Sequence, residues 1–156
     1  MEVYIDGSQR GGRCGWACFW GDNSPYNISG EINDNDNSCA KAEVYAFHKL
    51  LIEISQMLNQ ACLIGVKKIT VHCDNIYVVK GVNEWMEGWA KKGWKKSDGG
   101  TVAHTQLWQE IRQMYNVLTG YIQIDLRHVK AHNGTYGNEC ADQMAKGEWD
   151  TKPTHS

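Results

Sequence analysis

The order of strand-like and helix-like stretches narrows the folds open to this chain more than any other feature. Three short apolar runs come first, at about 2–8, 14–21 and 26–33, with Gly, Asn and Asp punctuating the joins. A helical stripe follows, with Ala42, Ala46, Leu50 and Ile54 on one side of a helix over about 39–58. The chain then alternates: a strand at 67–73, a short helix at 75–84, an irregular segment, a helix at 104–118, a strand at 121–129 and a last helix from Asn138 to roughly Lys146. A hairpin-type start followed by helix–strand alternation predicts an α/β protein built on a mixed five-stranded sheet. The three N-terminal strands would be antiparallel, the later ones parallel, and helices would cover both faces. In such sheets ligands gather at the C-terminal ends of the strands.

Acidic residues sit at or near those ends. Asp6 closes Val3-Tyr4-Ile5 and is followed by Gly7-Ser8, which places it where a strand ends or bulges. Asp74 closes Ile69-Thr70-Val71-His72-Cys73 in the same way, and Glu43 falls near the start of the first long helix. Asp142 follows the glycine-bounded loop His132-Asn133-Gly134-Thr135-Tyr136-Gly137 and is expected to open the last helix. Taken singly, each reads as a cap, a turn residue or a solvated charge. Brought together they would repel one another unless cations neutralised them, and a hard cation such as magnesium takes oxygen ligands of this type.

With 156 residues, 42% of them hydrophobic and 10% aromatic, the chain is long enough for one sizeable core and is not disordered. Its organisation is read as one domain over 1–150 with a short C-terminal tail at 151–156. Six cysteines lack C-x-x-C spacing and suggest neither a zinc site nor a disulfide framework; they read as reduced core residues. No apolar stretch reaches the roughly 18 residues of a membrane span, and the chain opens directly on a strand without a signal peptide. The expected setting is intracellular, with no membrane partner. The acidic, Asn-rich stretch from Glu31 to Asn37 lacks the glycine and closing glutamate of a calcium loop and reads as a turn, with Asn37 or Ser38 capping the next helix.

Charge is segregated. The net charge is −2, yet Trp89-Ala90-Lys91-Lys92-Gly93-Trp94-Lys95-Lys96-Ser97 carries four lysines and no acid. Lysines interleaved with tryptophans, just after Trp85, suit a surface that neutralises phosphates while flat rings pack on sugars or bases. The alternative is a solvated lysine run whose tryptophans pack on the domain's own core.

Five motifs in order resemble the type 1 ribonuclease H family, including the ribonuclease H domains of reverse transcriptases, over nearly the whole chain. They are Tyr4-Ile5-Asp6-Gly7-Ser8, Ala42-Glu43, Cys73-Asp74-Asn75, Trp85-Met86-Glu87-Gly88-Trp89 through Gly93-Trp94-Lys95, and His128-Val129-Lys130-Ala131-His132-Asn133-Gly134 followed by Gly137-Asn138-Glu139-Cys140-Ala141-Asp142. The resemblance implies the family's fold with a basic protrusion, and an endonuclease that cuts the RNA strand of an RNA–DNA hybrid. It implies two Mg2+ ions, with Mn2+ as a substitute, held by Asp6, Glu43, Asp74 and Asp142, Asp6 bridging them. Two such ions would activate a water and stabilise the leaving 3′ oxygen, giving 5′-phosphate and 3′-hydroxyl ends. His132 would shuttle protons or aid product release, and Glu139 could tune the same region.

For the substrate, the resemblance implies that backbone amides near Gly7 and Ser8 and around Cys39 read the RNA 2′-hydroxyls. Trp85, Trp89 and Ser97, with Lys91, Lys92, Trp94, Lys95 and Lys96, would line the DNA channel. Ser38, Lys41 and His104 would hold a DNA phosphate, and Asn75 would also touch the hybrid. Sequence preference should be weak. The chain departs from the family pattern at Cys39 and Ala40, where amide side chains are common, at His104, where asparagine is usual, and at Ala131, where glycine is common. The stretch after Ser8 is also shorter than in many members. Two further readings stay open from sequence: a related metal-dependent DNA nuclease or strand-transfer enzyme, and a noncatalytic hybrid-binding module. The chain would be a monomer or a domain of a larger protein.

Overall fold

The computed structural model describes residues 1–10, 13–32, 39–130 and 135–147, with the side chains of Arg10, Cys39 and Ala40 outside that description. The strands are β1 (Glu2–Arg10), β2 (Arg13–Phe19), β3 (Ile28–Ile32), β4 (Lys68–Cys73) and β5 (Gln123–His128). The helices are α1 (Cys39–Asn59), α2 (Ile76–Lys80), α3 (Met86–Lys91), α4 (Thr105–Leu118) and α5 (Tyr136–Ala145), with a π-helical turn, Gly81–Trp85, between α2 and α3. The strands form one mixed sheet in the order β3-β2-β1-β4-β5. β1 pairs antiparallel with β2, and β2 with β3, while β4 runs parallel to both β1 and β5. This is the five-stranded architecture expected from sequence.

Helix α1 packs on β1, β2 and α4, and α5 packs against β1, β2 and β3. The α1 stripe is fully buried: Ala42, Ala46, Leu50 and Ile54 have no exposed surface, and neither do Phe47 and Leu51. A second, smaller apolar group, Ala17, Phe19, Cys140, Ala141, Met144 and Ala145, lies between β2 and α5, with Tyr4 packed against it. Ala17 and Phe19 are register partners of Asp6 and Tyr4, so alternate residues of β1 point towards α5.

Three boundaries differ from the sequence expectation, each for a physical reason. Strand β1 does not end at Asp6: its pairing with β4 stops at Ile5↔Cys73, but its pairing with β2 continues to Arg10↔Arg13. Helix α5 starts at Tyr136, so Asp142 lies inside the helix rather than opening it. The segment expected to be irregular after residue 84 stays helical to Lys91 through the π turn. Gly81 is what admits Trp108 there, since a Cβ would lie within 2.9 Å of Trp108 Cζ2. The wider turn shifts the helix's phase, and Trp85, Trp89, Trp108 and Tyr77 form a connected ring cluster, with Trp89 and Trp108 centroids 5.3 Å apart.

Gly7 fixes the distance between α1 and the sheet. A Cβ on Gly7 would fall within 2.5 Å of both Ala42 O and Glu43 N, so strand and helix meet backbone to backbone. Neither backbone can yield as a flexible side chain would. Gly7→Ala is therefore expected to lower stability by about 1–3 kcal/mol and to separate Glu43 from Asp6. Urea unfolding monitored by circular dichroism checks the first effect, and an unchanged midpoint would show that the close approach is not needed.

Candidate metal centre

The sheet register sets the first pair of carboxylates side by side. Ile5 faces Cys73 across the parallel β1–β4 pair, so the residues that follow them, Asp6 and Asp74, emerge together where that pairing ends. Glu43 joins from α1 at the Gly7 crossing. The Gly7 N–H donates both to Asp6 Oδ1 at 2.9 Å and to Glu43 Oε2 at 3.2 Å. Asp6, Glu43 and Asp74 each offer a carboxylate oxygen, and these oxygens lie within 4.8 Å of one another. Asp142 completes the group from α5 through a side-chain hydrogen bond to Asp6, and Lys146 Nζ contacts Asp142 Oδ2 at 2.8 Å, one helical turn on. All four acids singled out in the sequence are thus brought to one place.

Their electrostatics are strained. Asp6 is only 3% exposed; burial, then the charges of Glu43, Asp74 and Asp142, pushes its pKa up to about 10. Burial and Asp74 push Glu43 up to about 8, although the Gly7 amide works in the opposite direction. Burial likewise raises the Cys73 thiol well above its ordinary value, with Glu43 adding to the effect. Such a cluster of hard, oxygen-only donors fits Mg2+ or Mn2+ rather than a soft metal, and a divalent cation would supply the charge the carboxylates lack.

The sheet's end is braced around them. His128 Nε2 lies 3.2 Å from Asp74 O, and Val129 N donates to Cys73 O at 2.9 Å. Asn75 Oδ1 accepts from Val78 N at 3.1 Å, so this residue caps α2. The Gly7 amide, expected from sequence to face substrate, turns onto Asp6 and Glu43. Lys146 was not singled out by sequence reasoning, although its i,i+4 spacing from Asp142 in a helix was the available signal. His132 and Ser38 lie outside the described residues, as does the side chain of Cys39.

The protrusion forms a surface groove lined by Trp85, Trp89, Lys92, Lys95, Lys96 and Ser97, together with Glu84 and Gly88. Trp85 is 38% exposed, whereas Trp89 and Trp94 are partly buried and pack against the main core. Trp89 and Trp94 thus follow the core-packing reading, while Trp85 keeps a ring face open to solvent. Lys91 ends α3. Lys41 and His104 line a second depression with Tyr45, Gln106, Leu107 and Glu110. His104 adopts a left-handed conformation, φ 57° and ψ 39°, directly before α4. Asparagine and histidine tolerate that conformation better than most residues do.

A mixed sheet with carboxylates gathered where its central parallel strands end defines a cation-dependent class of site. The whole-chain comparisons give that class its family. The RNase H family model matches residues 1–149. The ribonuclease H of Albidiferax ferrireducens is 34% identical over 149 residues, covering 93% of this chain and 91% of that protein. That of Caulobacter sp. strain K31 is 32% identical over 150 residues, covering 94% and 87% respectively. Among solved structures, the foamy viral protease–reverse transcriptase in complex with RNA/DNA hybrid superposes with a TM-score of 0.71 at 17% identity, over 94% of this chain and 19% of that one. The type 1 enzyme LC9-RNase H1 superposes with a TM-score of 0.65 at 21% identity, over 97% and 74%. The chain belongs to the RNase H family and is a ribonuclease H enzyme. The family is metal-dependent, and the carboxylate cluster is where a metal would bind.

The raised carboxyl pKa values set a pH dependence. Unfolded carboxylates titrate near about 4, so between that value and about 8 for Glu43 or about 10 for Asp6 the folded chain holds protons that the unfolded chain has released. Without divalent cation, stability must then fall as pH rises through that window. In chelator the melting temperature is expected to drop by several degrees between about pH 5 and about pH 9. Mg2+ should restore it most at the higher pH, and Asp6→Asn should flatten both responses. A melting temperature independent of pH and Mg2+ would contradict the charge arrangement described here.

Proposed function

We propose that this chain is an endonuclease that hydrolyses the RNA strand of RNA–DNA hybrids with two divalent ions, Mg2+ or Mn2+, leaving 5′-phosphate and 3′-hydroxyl ends. The observation that carries the reading is the convergence of Asp6, Glu43 and Asp74, whose oxygens lie within 4.8 Å, with Asp142 bonded to Asp6. Family membership supports hybrid cleavage as the activity.

Asp6, Glu43, Asp74 and Asp142 would hold the ions, with Asp6 central because it is the most buried of the four and feels all three others. Ions bound there supply an activated water on one side of the scissile phosphate and charge stabilisation for the leaving 3′ oxygen. The protein's part is positional. The Gly7 amide fixes two of the carboxylates before substrate arrives, which limits reorganisation during reaction. The Trp85–Trp89–lysine groove would take the DNA strand, and the Lys41–His104 depression one of its phosphates. His132 would relay protons.

We read residues 1–150 as one catalytic domain followed by a short tail, acting as a monomer or within a longer protein. Among the described residues no helix is long and apolar enough to cross a membrane, and Cys18, Cys62, Cys73 and Cys140 are free thiols. Reduced cysteines support an intracellular setting.

The test is cleavage of one labelled sequence as RNA–DNA hybrid, RNA duplex, DNA duplex and single-stranded RNA, with Mg2+, with Mn2+ and with chelator. Metal-dependent cutting confined to the hybrid's RNA strand is expected; cutting of DNA would replace this reading with a wider nuclease activity. Asp6→Asn should lower the rate by about a thousand-fold or more while hybrid binding persists, and near-normal turnover would refute the ligand assignment. His132→Ala should slow cleavage by about a hundred-fold with metal binding retained. Undiminished single- and multiple-turnover rates would remove His132 from the reaction.

A further inference from the structure

The α5-facing side of the sheet does not end at the carboxylates. Asp6, Ala17 and Ser29 form one cross-strand row, and Ser8, Gly15 and Glu31 form the next row outward. Arg13, which pairs with Arg10, follows two residues beyond Gly15 on the same face of β2. Beyond the last turn of α5 these rows floor an open groove with Arg13 on one wall and Lys146 on the other. Gly15 makes this possible, because a Cβ there would collide with the backbone oxygen of Ala145. The groove therefore starts at Ser8, two residues along β1 from Asp6, and lies between two cationic side chains.

Arg13 is only loosely committed, and the partner of Lys146 is itself a member of the carboxylate cluster. Arg13 Nε lies 3.5 Å from Glu31 Oε1, in a pair whose side chains are 81% and 50% exposed. Such a pair contributes little, but it holds the guanidinium over the groove. Lys146 is paired with Asp142, a carboxylate that divalent cations would neutralise. Two cations flanking a groove that adjoins the carboxylate cluster through Ser8 and the Lys146–Asp142 pair match a polyanionic backbone in charge.

We infer that the Arg13–Lys146 groove is a subsite for a backbone phosphate of the strand being cut. This rests on the proposed hybrid-cleaving function. The phosphate lies outside the scissile linkage on the same strand, because the Arg10–Arg13 row lies about 13 Å along β1 from Asp6, four residues at about 3.3 Å each. Arg13 supplies a fork of donors suited to phosphate oxygens, and Lys146 supplies a point charge that is redirected from Asp142 once cations occupy the carboxylates.

The test measures hybrid binding in the cleavage-deficient Asp6→Asn background with Mg2+ present, as a function of salt, comparing Arg13→Gln and Arg13→Lys. Arg13 is exposed, so neither change threatens folding, and circular dichroism checks that both variants fold. Arg13→Gln is expected to weaken binding about 3- to 10-fold at low salt and to reduce the slope of log Kd against log salt by about 1, while Arg13→Lys retains the slope. Replacing RNA linkages one at a time by uncharged methylphosphonates should reveal one position, outside the cut site, where wild-type Arg13 loses affinity and Arg13→Gln does not. If hybrid binds and the unsubstituted enzyme cuts it, but Arg13→Gln leaves affinity, slope and linkage profile unchanged, the subsite is refuted and the function stands. If the unsubstituted enzyme neither binds nor cuts hybrid, both fall.

Discussion

Mutual repulsion among carboxylates gathered around one buried member, Asp6, is the constraint around which this structure is arranged. Asp6 is buried, is hydrogen-bonded to Asp142 and feels Glu43 and Asp74. No fold would hold four acids there on their own account, because desolvation and like charge both oppose it. The opposing free energy comes from elsewhere: the apolar stripe of α1 on the sheet, the β2–α5 contact and the ring cluster around Trp108. The site is thus a local defect in stability maintained by the rest of the core, as expected where a bound cation is part of the working state.

Three separate devices hold the acids in place, and each acts through backbone rather than through side-chain packing alone. The β1–β4 register aligns Asp6 with Asp74. The absence of a side chain at Gly7 lets α1 approach until Glu43 shares an amide with Asp6. On the opposite face, Gly15 and Gly137 bring α5 down onto the sheet, where a Cβ would meet Ala145 O and the Tyr4 ring respectively, and α5 delivers Asp142. Three glycines thus set helix heights on both faces. Rigid backbone contacts of this type keep ligands in register without paying side-chain entropy at the moment of binding.

Much of this was legible in the sequence, and the parts that were not share a cause. The period of Ala42, Ala46, Leu50 and Ile54 specified α1 because a buried stripe must repeat with the helix. The acids were visible because each stood beside a change of element. Sequence placed Asp6 at a strand end because a charged residue followed by Gly-Ser breaks an apolar run. In the structure β1 simply loses one neighbour, β4, and keeps the other, β2. Loss of a pairing partner leaves no local mark. Asp142 was placed at the start of the last helix because the glycine-bounded loop was taken to run up to Asn138, whereas Tyr136 already begins α5 and its hydroxyl donates to Asp22 in the β2–β3 turn at 2.6 Å. The π turn at Gly81 was hidden for a similar reason, since its cause is Trp108, distant in sequence and fully buried.

The charges nearest the site show why the protein alone cannot resolve its own electrostatics. Lys146 reaches Asp142 at 2.8 Å, but Asp142 sits at the edge of the cluster; the carboxyl under greatest stress is Asp6, whose pKa no basic group among the described residues lowers. Inserting a lysine or arginine into the centre would relieve the repulsion permanently and would fill the volume that the proposed function leaves to a cation and a phosphate. Leaving the centre acidic and setting Lys146 at the rim keeps the compensation conditional. A cation held at Asp6 would lower the proton affinity of the group and loosen the hold of Asp142 on Lys146, which would leave the ammonium available to an anion. Metal occupancy and phosphate binding would then favour one another through charge alone, with no movement of the sheet or helices required.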